Sequence, residues 1–305
     1  MFRHLPLVEY GVEAGRTDCP LCGSAAFSEL SGWDRRLKRL RHVRCLGCGL
    51  VRQNPLPSEA SLAGYYATSY RRDYQGVSSG PTRRHREKSL RAARVRLERL
   101  VPLLSGRRSV LDFGCGSGEF VELCGERGLA ATGFEPGVGY ASHARDARKL
   151  DVVRGDWRDV SLPGGGEFEA VTAFHVFEHL VDPLGALERI TEWLAPDGLV
   201  FIETPNIRNG LEAKGFGSLH FAHTLGFTRP TLEYLGALRG LGVEAAFDEY
   251  DIGIVFSRRV PPRPPDSVLE EAKRELAHMS RDMVHGRFWL YTLAKLPGFP
   301  RRTGR

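Results

Sequence analysis

The stretch Val110-Leu111-Asp112-Phe113-Gly114-Cys115-Gly116-Ser117-Gly118-Glu119-Phe120 decides the architecture. It opens on a short apolar run, passes through three glycines at alternate positions and ends where a helical pattern starts. That is a strand, a tight turn and a helix. Glycines in such a turn let the main chain bend sharply and let a ligand approach the backbone and the helix N-terminus. A G-x-G-x-G turn alone is as often an ordinary connection as a nucleotide-type site. Two carboxylates tip the reading towards a site. Glu135 lies 21 residues beyond Gly114, at the end of the next apolar run, where a carboxylate can accept both hydroxyls of a ribose. Asp156, in Gly155-Asp156-Trp157, follows a third run, where it would meet the amino group of an adenine while Trp157 covers the ring face.

Outward from this stretch, short apolar runs alternate with helical patterns, which predicts a parallel sheet with crossover helices. Strands are expected near Ser109–Phe113, Ala130–Phe134, Val152–Arg154, Ala170–Phe174, Leu199–Glu203, Val243–Glu249 and Ile252–Ser257. Helices are expected near Glu119–Arg127, Gly139–Ala147, Pro183–Leu194 and Pro230–Leu241, with one C-terminal helix over about Ser267–His285 after the stiff Pro261-Pro262-Arg263-Pro264-Pro265 stretch. Upstream, residues 50–82 read as a loop-bearing connector holding Tyr65, Tyr66, Tyr70 and Tyr74. An amphipathic helix follows, with Leu90, Ala93, Leu97, Leu100, Val101 and Leu104 on one face and Arg83, Arg84, Arg86, Lys88, Arg91, Arg94 and Arg99 on the other.

Four of six cysteines form two knuckles, Cys19-Pro20-Leu21-Cys22-Gly23 and Cys45-Leu46-Gly47-Cys48-Gly49. In a chain whose thiols are reduced, matched C-x-x-C pairs predict a four-thiolate zinc ribbon rather than a redox pair or unrelated buried thiols. With every position filled by sulfur, Zn2+ there is structural. Cys115 and Cys124 read as packing residues, since nothing beside them supplies a base. The fold class is therefore α/β: a Rossmann-like, mostly parallel sheet with helices on both faces, preceded by a small N-terminal zinc ribbon.

Composition, 42% hydrophobic and 26% charged over 305 residues, excludes collagenous and low-complexity classes. No apolar run approaches the length of a membrane span, and the N-terminus lacks the pattern of a secretory signal, so a cytoplasmic location is expected. Residues 1–105 carry 19 Lys+Arg against 9 Asp+Glu, the remainder 24 against 28. Such asymmetry marks either a nucleic-acid or membrane-surface patch in the first third or a solvated Arg-rich surface, and the second is favoured.

Asp112-Phe113-Gly114-Cys115-Gly116-Ser117-Gly118, Glu135-Pro136, Gly155-Asp156, His175-Val176-Phe177-Glu178-His179-Leu180, Ala195-Pro196-Asp197-Gly198-Leu199 and Glu203-Thr204-Pro205-Asn206 resemble the class I S-adenosylmethionine-dependent methyltransferases. With Cys19 to Gly23, Arg44 to Val51, Pro55 and Tyr65-Tyr66, the resemblance extends to bacterial members with an N-terminal zinc ribbon that act on sugars, surface polysaccharide precursors or secondary metabolites. It covers roughly residues 17–258. It implies that Gly114, Cys115 and Gly116 line the methionine part of the cofactor, with Asp112 facing its amine and Phe113 beside it. Glu135 and Pro136 would hold the ribose, Asp156 and Trp157 the adenine, and the backbone at Phe174 the amino-acid end. The division expected is 1–60 zinc ribbon, 61–106 connector and amphipathic helix, 107–260 S-adenosylmethionine-binding catalytic domain and 261–305 C-terminal helical extension.

The acceptor is expected to be a small molecule methylated on oxygen or carbon. His175, Glu178 and His179 follow the fourth strand, where a helical turn would gather them on one face, and a histidine near its ordinary pKa suits general-base work. The other role for His179 is to cap or pack a turn, with Glu178 orienting it. Ubiquinone-type O-methyltransferases carry an acidic residue where His175 stands, which puts metal binding here in doubt. His220, His223 and Phe227 form a second group expected to fold over the acceptor pocket. The alternative is an RNA methyltransferase whose ribbon and basic helix hold phosphates, supported by six cations between Arg35 and Arg44. Against it, Ala173-Phe174-His175-Val176 lacks the Asn/Asp-Pro-Pro-aromatic tetrad that holds a flipped base.

Overall fold

The computed structural model describes residues 10, 13–68, 80–162, 165 and 167–295. Tyr70 and Tyr74 of the connector lie outside the described residues. In chain order the elements are β1 (Phe27–Trp33), β2 (Arg39–Cys45), β3 (Val51–Gln53), α1 (Glu59–Thr68), α2 (Arg83–Leu104), β4 (Ser109–Phe113), α3 (Glu119–Glu126) and β5 (Ala130–Phe134). There follow α4 (Val138–Ser142), β6 (Val152–Val153), β7 (Phe168–Phe174), α5 (Pro183–Glu192), β8 (Leu194–Pro205), α6 (Ile207–Lys214), β9 (Leu225–Gly226) and α7 (Arg229–Ala237). The chain closes with β10 (Gly242–Asp248), β11 (Asp251–Ser257), α8 (Pro265–Glu275) and α9 (Arg281–Leu293).

The main sheet runs β10-β11-β8-β7-β4-β5-β6. Strands β4 to β8 are parallel, while β11 pairs antiparallel with β8 and β10 antiparallel with β11. Both faces are covered, so successive side chains of the central strands serve two cores in turn. Val110, Leu199 and Phe201 pack with Ala93, Leu97, Leu100 and Leu104 of α2. Leu111, Val200 and Ile202 pack with Leu187 and Ile190 of α5 and with Leu232 and Leu235 of α7. This is the Rossmann-like α/β class.

Helix α2 starts at Thr82, whose hydroxyl accepts the His85 N–H at 3.2 Å. Its buried face omits Val101, which is turned out to solvent. Two cations assigned to its solvated side are paired with other elements: Arg99 reaches Glu249 at 3.1 Å, and Arg86 approaches Glu119 at 3.7 Å. The connector contains β3 and α1. The single helix expected at the C-terminus is two, because Leu276 and Met279 bury themselves in the break and the Ser280 side chain accepts the Met283 N–H, starting α9 afresh. Helix α6 was not anticipated; it is two turns long with a glycine inside, too short for periodicity to declare.

The ribbon is a second sheet, ordered β1-β2-β3-β9. Its last strand comes from far along the chain. Cys19, Leu21, Cys45, Cys48, Leu50 and Leu56 belong to the same apolar cluster as Leu232, Leu235 and Val268, so the ribbon and the main sheet share a core.

Candidate active site

Cys19 and Cys22 precede β1, Cys45 ends β2, and Cys48 lies in the turn to β3. The Cys19 and Cys48 sulfurs are 3.5 Å apart, as are those of Cys22 and Cys45, and all four lie within 4.8 Å of one another. Four sulfurs about 2.3 Å from one tetrahedral ion would be about 3.8 Å apart, so the cluster has the dimensions of a thiolate zinc centre. Each knuckle closes alike, with the Gly23 N–H donating to the Cys19 carbonyl at 2.8 Å and the Gly49 N–H to that of Cys45 at 2.9 Å. At Gly49 a Cβ would run into the Ala272 carbonyl of α8, so glycine there also lets the C-terminal segment close over the knuckle turn.

The glycine turn lies at the carboxyl end of β4. Gly114 sits at φ 83° and Gly116 at φ 57°. The Gly114 and Cys115 N–H groups both donate to the Phe134 carbonyl, at 2.8 and 2.9 Å, which ties the turn to the end of β5. Glu135, the next residue, is buried and accepts from the Gly116 N–H at 3.0 Å and the Gly137 N–H at 2.9 Å. Pro136 beside it is exposed. Phe113 stacks on Phe134 with ring centroids 5.2 Å apart, and the buried Cys115 packs against Gly133. Asp112 lies under the turn, fully enclosed, and accepts the Thr172 hydroxyl at 2.9 Å. Burial pushes its carboxyl up to about 7, against the opposing pull of Thr172. The far end of the turn is locked by a group that sequence reasoning missed: the Ser117 hydroxyl donates to Glu119 at 2.8 Å, and Arg148 donates to the Ser117 carbonyl at 2.8 Å.

Asp156 is exposed, accepting from the Arg158 N–H at 3.0 Å, while the Arg158 guanidinium covers the Trp157 ring at 4.2 Å. Phe174 ends β7 with its ring between Phe120 and Phe201, under the Arg96 guanidinium. The ring thus faces α2, so only its backbone is directed to the edge where the turn lies.

His175, Glu178 and His179 do not share a helical face. His175 has φ 55°, which turns the chain before the short 3-10 turn Phe177–His179 begins. Its Nδ1 is 3.2 Å from Glu178 Oε1, and its Nε2 is 3.4 Å from Glu203 and 3.5 Å from Asp251. Burial disfavours its charge, yet Asp251, Glu178 and Glu203 together hold its pKa well above the ordinary value. Burial likewise opposes charge on Glu203, but His175 and Arg96 bring it down to about 2. Arg96 Nε donates to Glu203 at 2.8 Å. Asp251 and Arg96 escaped sequence reasoning, and Glu203 was read only as part of a motif with no role given, because the three arrive from β11, α2 and β8.

His179 faces the other way. Its Nδ1 donates to the Ala222 carbonyl at 2.7 Å, which fixes the tautomer and leaves Nε2 as the basic nitrogen, 3.9 Å from Glu178. The His179 and His223 rings are 4.8 Å apart, and those of His220 and His223 are 3.8 Å apart. Burial, reinforced by neighbouring cations and imidazoles, pushes His220 and His223 well below the ordinary value. The structure therefore gathers Glu178, His179 and His223, while Phe227 is wholly buried core. Among the described residues, Glu178 Oε2 is buried without a hydrogen-bond partner.

The ribbon holds this second histidine group in place. Gln53 of β3 donates through Nε2 to the Phe221 carbonyl at 2.8 Å and that of His223 at 3.1 Å, and its N–H donates to the Thr224 carbonyl at 2.9 Å. Tyr10 stacks on Phe221, and Tyr65 meets the same ring edge-on. Much of the basic run between Arg35 and Arg44 is consumed within the molecule. Lys38 is buried over the Tyr10 ring, Arg39 covers Trp33, Arg41 donates to the Asn54 carbonyl at 2.8 Å, and Arg44 donates to that of Lys273 at 3.3 Å.

Residues 82–246, more than half of the chain, match the family model described as a methyltransferase domain. The chain belongs to the methyltransferase-domain family. Among curated relatives of this methyltransferase-domain protein is a ubiquinone biosynthesis O-methyltransferase of Pseudomonas aeruginosa, 32% identical over 110 residues, which are 34% of this chain and 46% of that protein. The chain spans about half the length of the curated relatives it matches. Solved structures similar to it include a SAM-dependent methyltransferase from Archaeoglobus fulgidus, with 21% identity, 61% of this chain and 97% of that one covered, and a TM-score of 0.46. Another is the SAM-bound amino pentose methyltransferase CalS10 from Micromonospora echinaspora, with 19% identity, 55% and 90% coverage, and a TM-score of 0.45. Among the described residues, no helix is long and apolar enough to cross a membrane.

Proposed function

We propose that this protein transfers the methyl group of S-adenosylmethionine to an oxygen or carbon of a small, sugar-like or secondary-metabolite acceptor. The observation that carries the reading is the pairing of the Gly114–Gly116 turn with the buried Glu135 carboxylate. Beyond the turn, a Cβ at Gly116 would meet nothing nearer than Tyr140, at 3.8 Å, so the main chain presents an open face beside a charged acceptor. Glu135 would take the ribose hydroxyls and Asp112 the amine, with Asp156 and Trp157 at the base. When bound, the cofactor supplies an already activated methyl electrophile, and what remains for the protein is alignment and removal of a proton from the acceptor. Glu178, His179 and His223 would line the acceptor side, with His179 Nε2 or His223 as base. Oxygen as the acceptor atom agrees with the name of the ubiquinone-pathway relatives. The four thiolates would hold one structural zinc ion.

Titration calorimetry with S-adenosylmethionine tests the cofactor site. Glu135→Ala removes two charge-assisted hydrogen bonds and should weaken binding by about a hundredfold. Wild-type affinity in that variant would remove Glu135 from the cofactor site, and the proposed reading with it.

A further inference from the structure

We propose that the outer face of α9 is a docking surface for an anionic membrane. The inner face of this helix is well anchored: Val284 and Phe288 are buried, and Phe288 stacks on Phe216 with ring centroids 3.7 Å apart. A surface helix anchored this way turns polar residues to water on its opposite side. Here the opposite side carries Met283, Gly286, Leu290 and Leu293, at steps of three and four residues. Leu290 is 60% exposed, Met283 and Leu293 are each 39% exposed, and Trp289 on the flank is 54% exposed. Isolated exposed apolar residues are commonplace, but a continuous stripe with polar margins marks a binding face.

Charge selects the occupant. Arg287 lies on the helix beside the stripe, Lys295 follows its last turn with its ammonium 4.3 Å over the Tyr291 ring, and from Arg281, which reaches Glu29 at 3.4 Å, to Arg305 the sequence holds six cations against one acid, Asp282. A stripe of Leu, Met and Trp with cations at its margins is the composition of a helix that lies in the plane of a bilayer surface. Its apolar side chains enter the headgroup boundary and its cations meet anionic lipid. A second copy of the chain would instead bring cation against cation. It is the opposite, inner face of the helix that faces the segment leading into His220, since Val284 and Phe288 share an apolar cluster with Phe216 and Leu219.

The inference does not depend on methyl transfer. The full chain is sedimented with vesicles of phosphatidylcholine alone and of phosphatidylcholine mixed with phosphatidylglycerol. Binding to the mixed vesicles, weakened by added salt, is expected. Leu290→Asp together with Leu293→Asp should abolish it without changing the melting temperature, since both side chains are exposed. Arg287→Gln together with Lys295→Gln, which leaves the apolar stripe whole, should lower partitioning by about tenfold or more. Equal binding to both vesicle types, no binding to either, or binding unaffected by the double variants overturns the proposal. A concentration-dependent dimer broken by Leu290→Asp, with no vesicle binding, assigns the face to a second copy and also overturns it.

Discussion

Asp112 is a carboxyl whose charge changes near neutral pH, because it is buried under the turn with Thr172 as a hydrogen-bond donor. A neutral acid does not hold a cationic amine. If Asp112 holds the cofactor's amine, binding below about 7 has to be coupled to loss of its proton, and affinity should fall by about tenfold per pH unit from 7 towards 5.5, then level off just above 7. Calorimetry over that range checks it. Asp112→Asn should bind more weakly, with no such slope, and a flat wild-type profile would separate Asp112 from the amine. The base has a pH signature of its own. Burial, reinforced by His220, His179 and His175, holds His223 well below the ordinary imidazole value. If it accepts the acceptor's proton, the acidic limb of turnover is displaced below the ordinary imidazole value of 6.5, and His223→Asn erases it while leaving cofactor affinity nearly unchanged. A limb that survives in this variant points to His179. The turn residues were readable because glycines at alternate positions between a strand and a helix leave few conformations. The left-handed backbone of His175 and its contacts with Glu203 and Asp251 were not, since they depend on strand order rather than on neighbours in sequence.

At the scale of elements, β4 and β5 lie where the apolar runs place them, because strands buried on both faces write a continuous signal. Ribbon strands β1 to β3 carry Ser, Arg and Gln at many positions and give no such signal; the cysteines alone marked them. The ends of β7, β8 and β11 meet at His175, Glu203 and Asp251, with Arg96 above them. Glu203 is at about 2 here against an ordinary 4.5, so its contribution is present above about 4.5 and is lost as pH falls through 2. His175 is shifted the other way, so its contribution is complete below 6.5 and fades as pH rises through its elevated value. The junction is intact between about 4.5 and 6.5. Glu203→Gln should cost about 3 kcal/mol of unfolding free energy at pH 6 and little at pH 2. Urea titrations at the two pH values decide it, and an equal loss at both would mean that packing rather than charge is at stake.

For the whole molecule, what escaped the sequence is that the ribbon is built into the main body. Strand β9 is two residues long, far below what a pattern can announce, yet it completes the ribbon's sheet from a point some 170 residues after β3. Gln53 on β3 then pins the segment carrying His220 and His223, and the knuckle cysteines share a core with α7 and α8. A metal clamp in this position stabilises more than its own knuckles. If the four thiolates close on one zinc ion, binding contributes on the order of 10 kcal/mol to the fold, and removing it leaves four clustered sulfurs, three of them buried, without their ion. Cys45→Ser, or stripping the metal with a strong chelator, should therefore lower the melting temperature of the whole chain by on the order of 10 °C or more. The transition should remain single, and hydrogen exchange should accelerate at residues 219–224 as well as in the knuckles. Elemental analysis should find one zinc per chain before treatment. Loss of the ribbon in a separate early transition, with exchange at residues 219–224 unchanged, would show that the shared sheet and core do not couple the metal to the acceptor side.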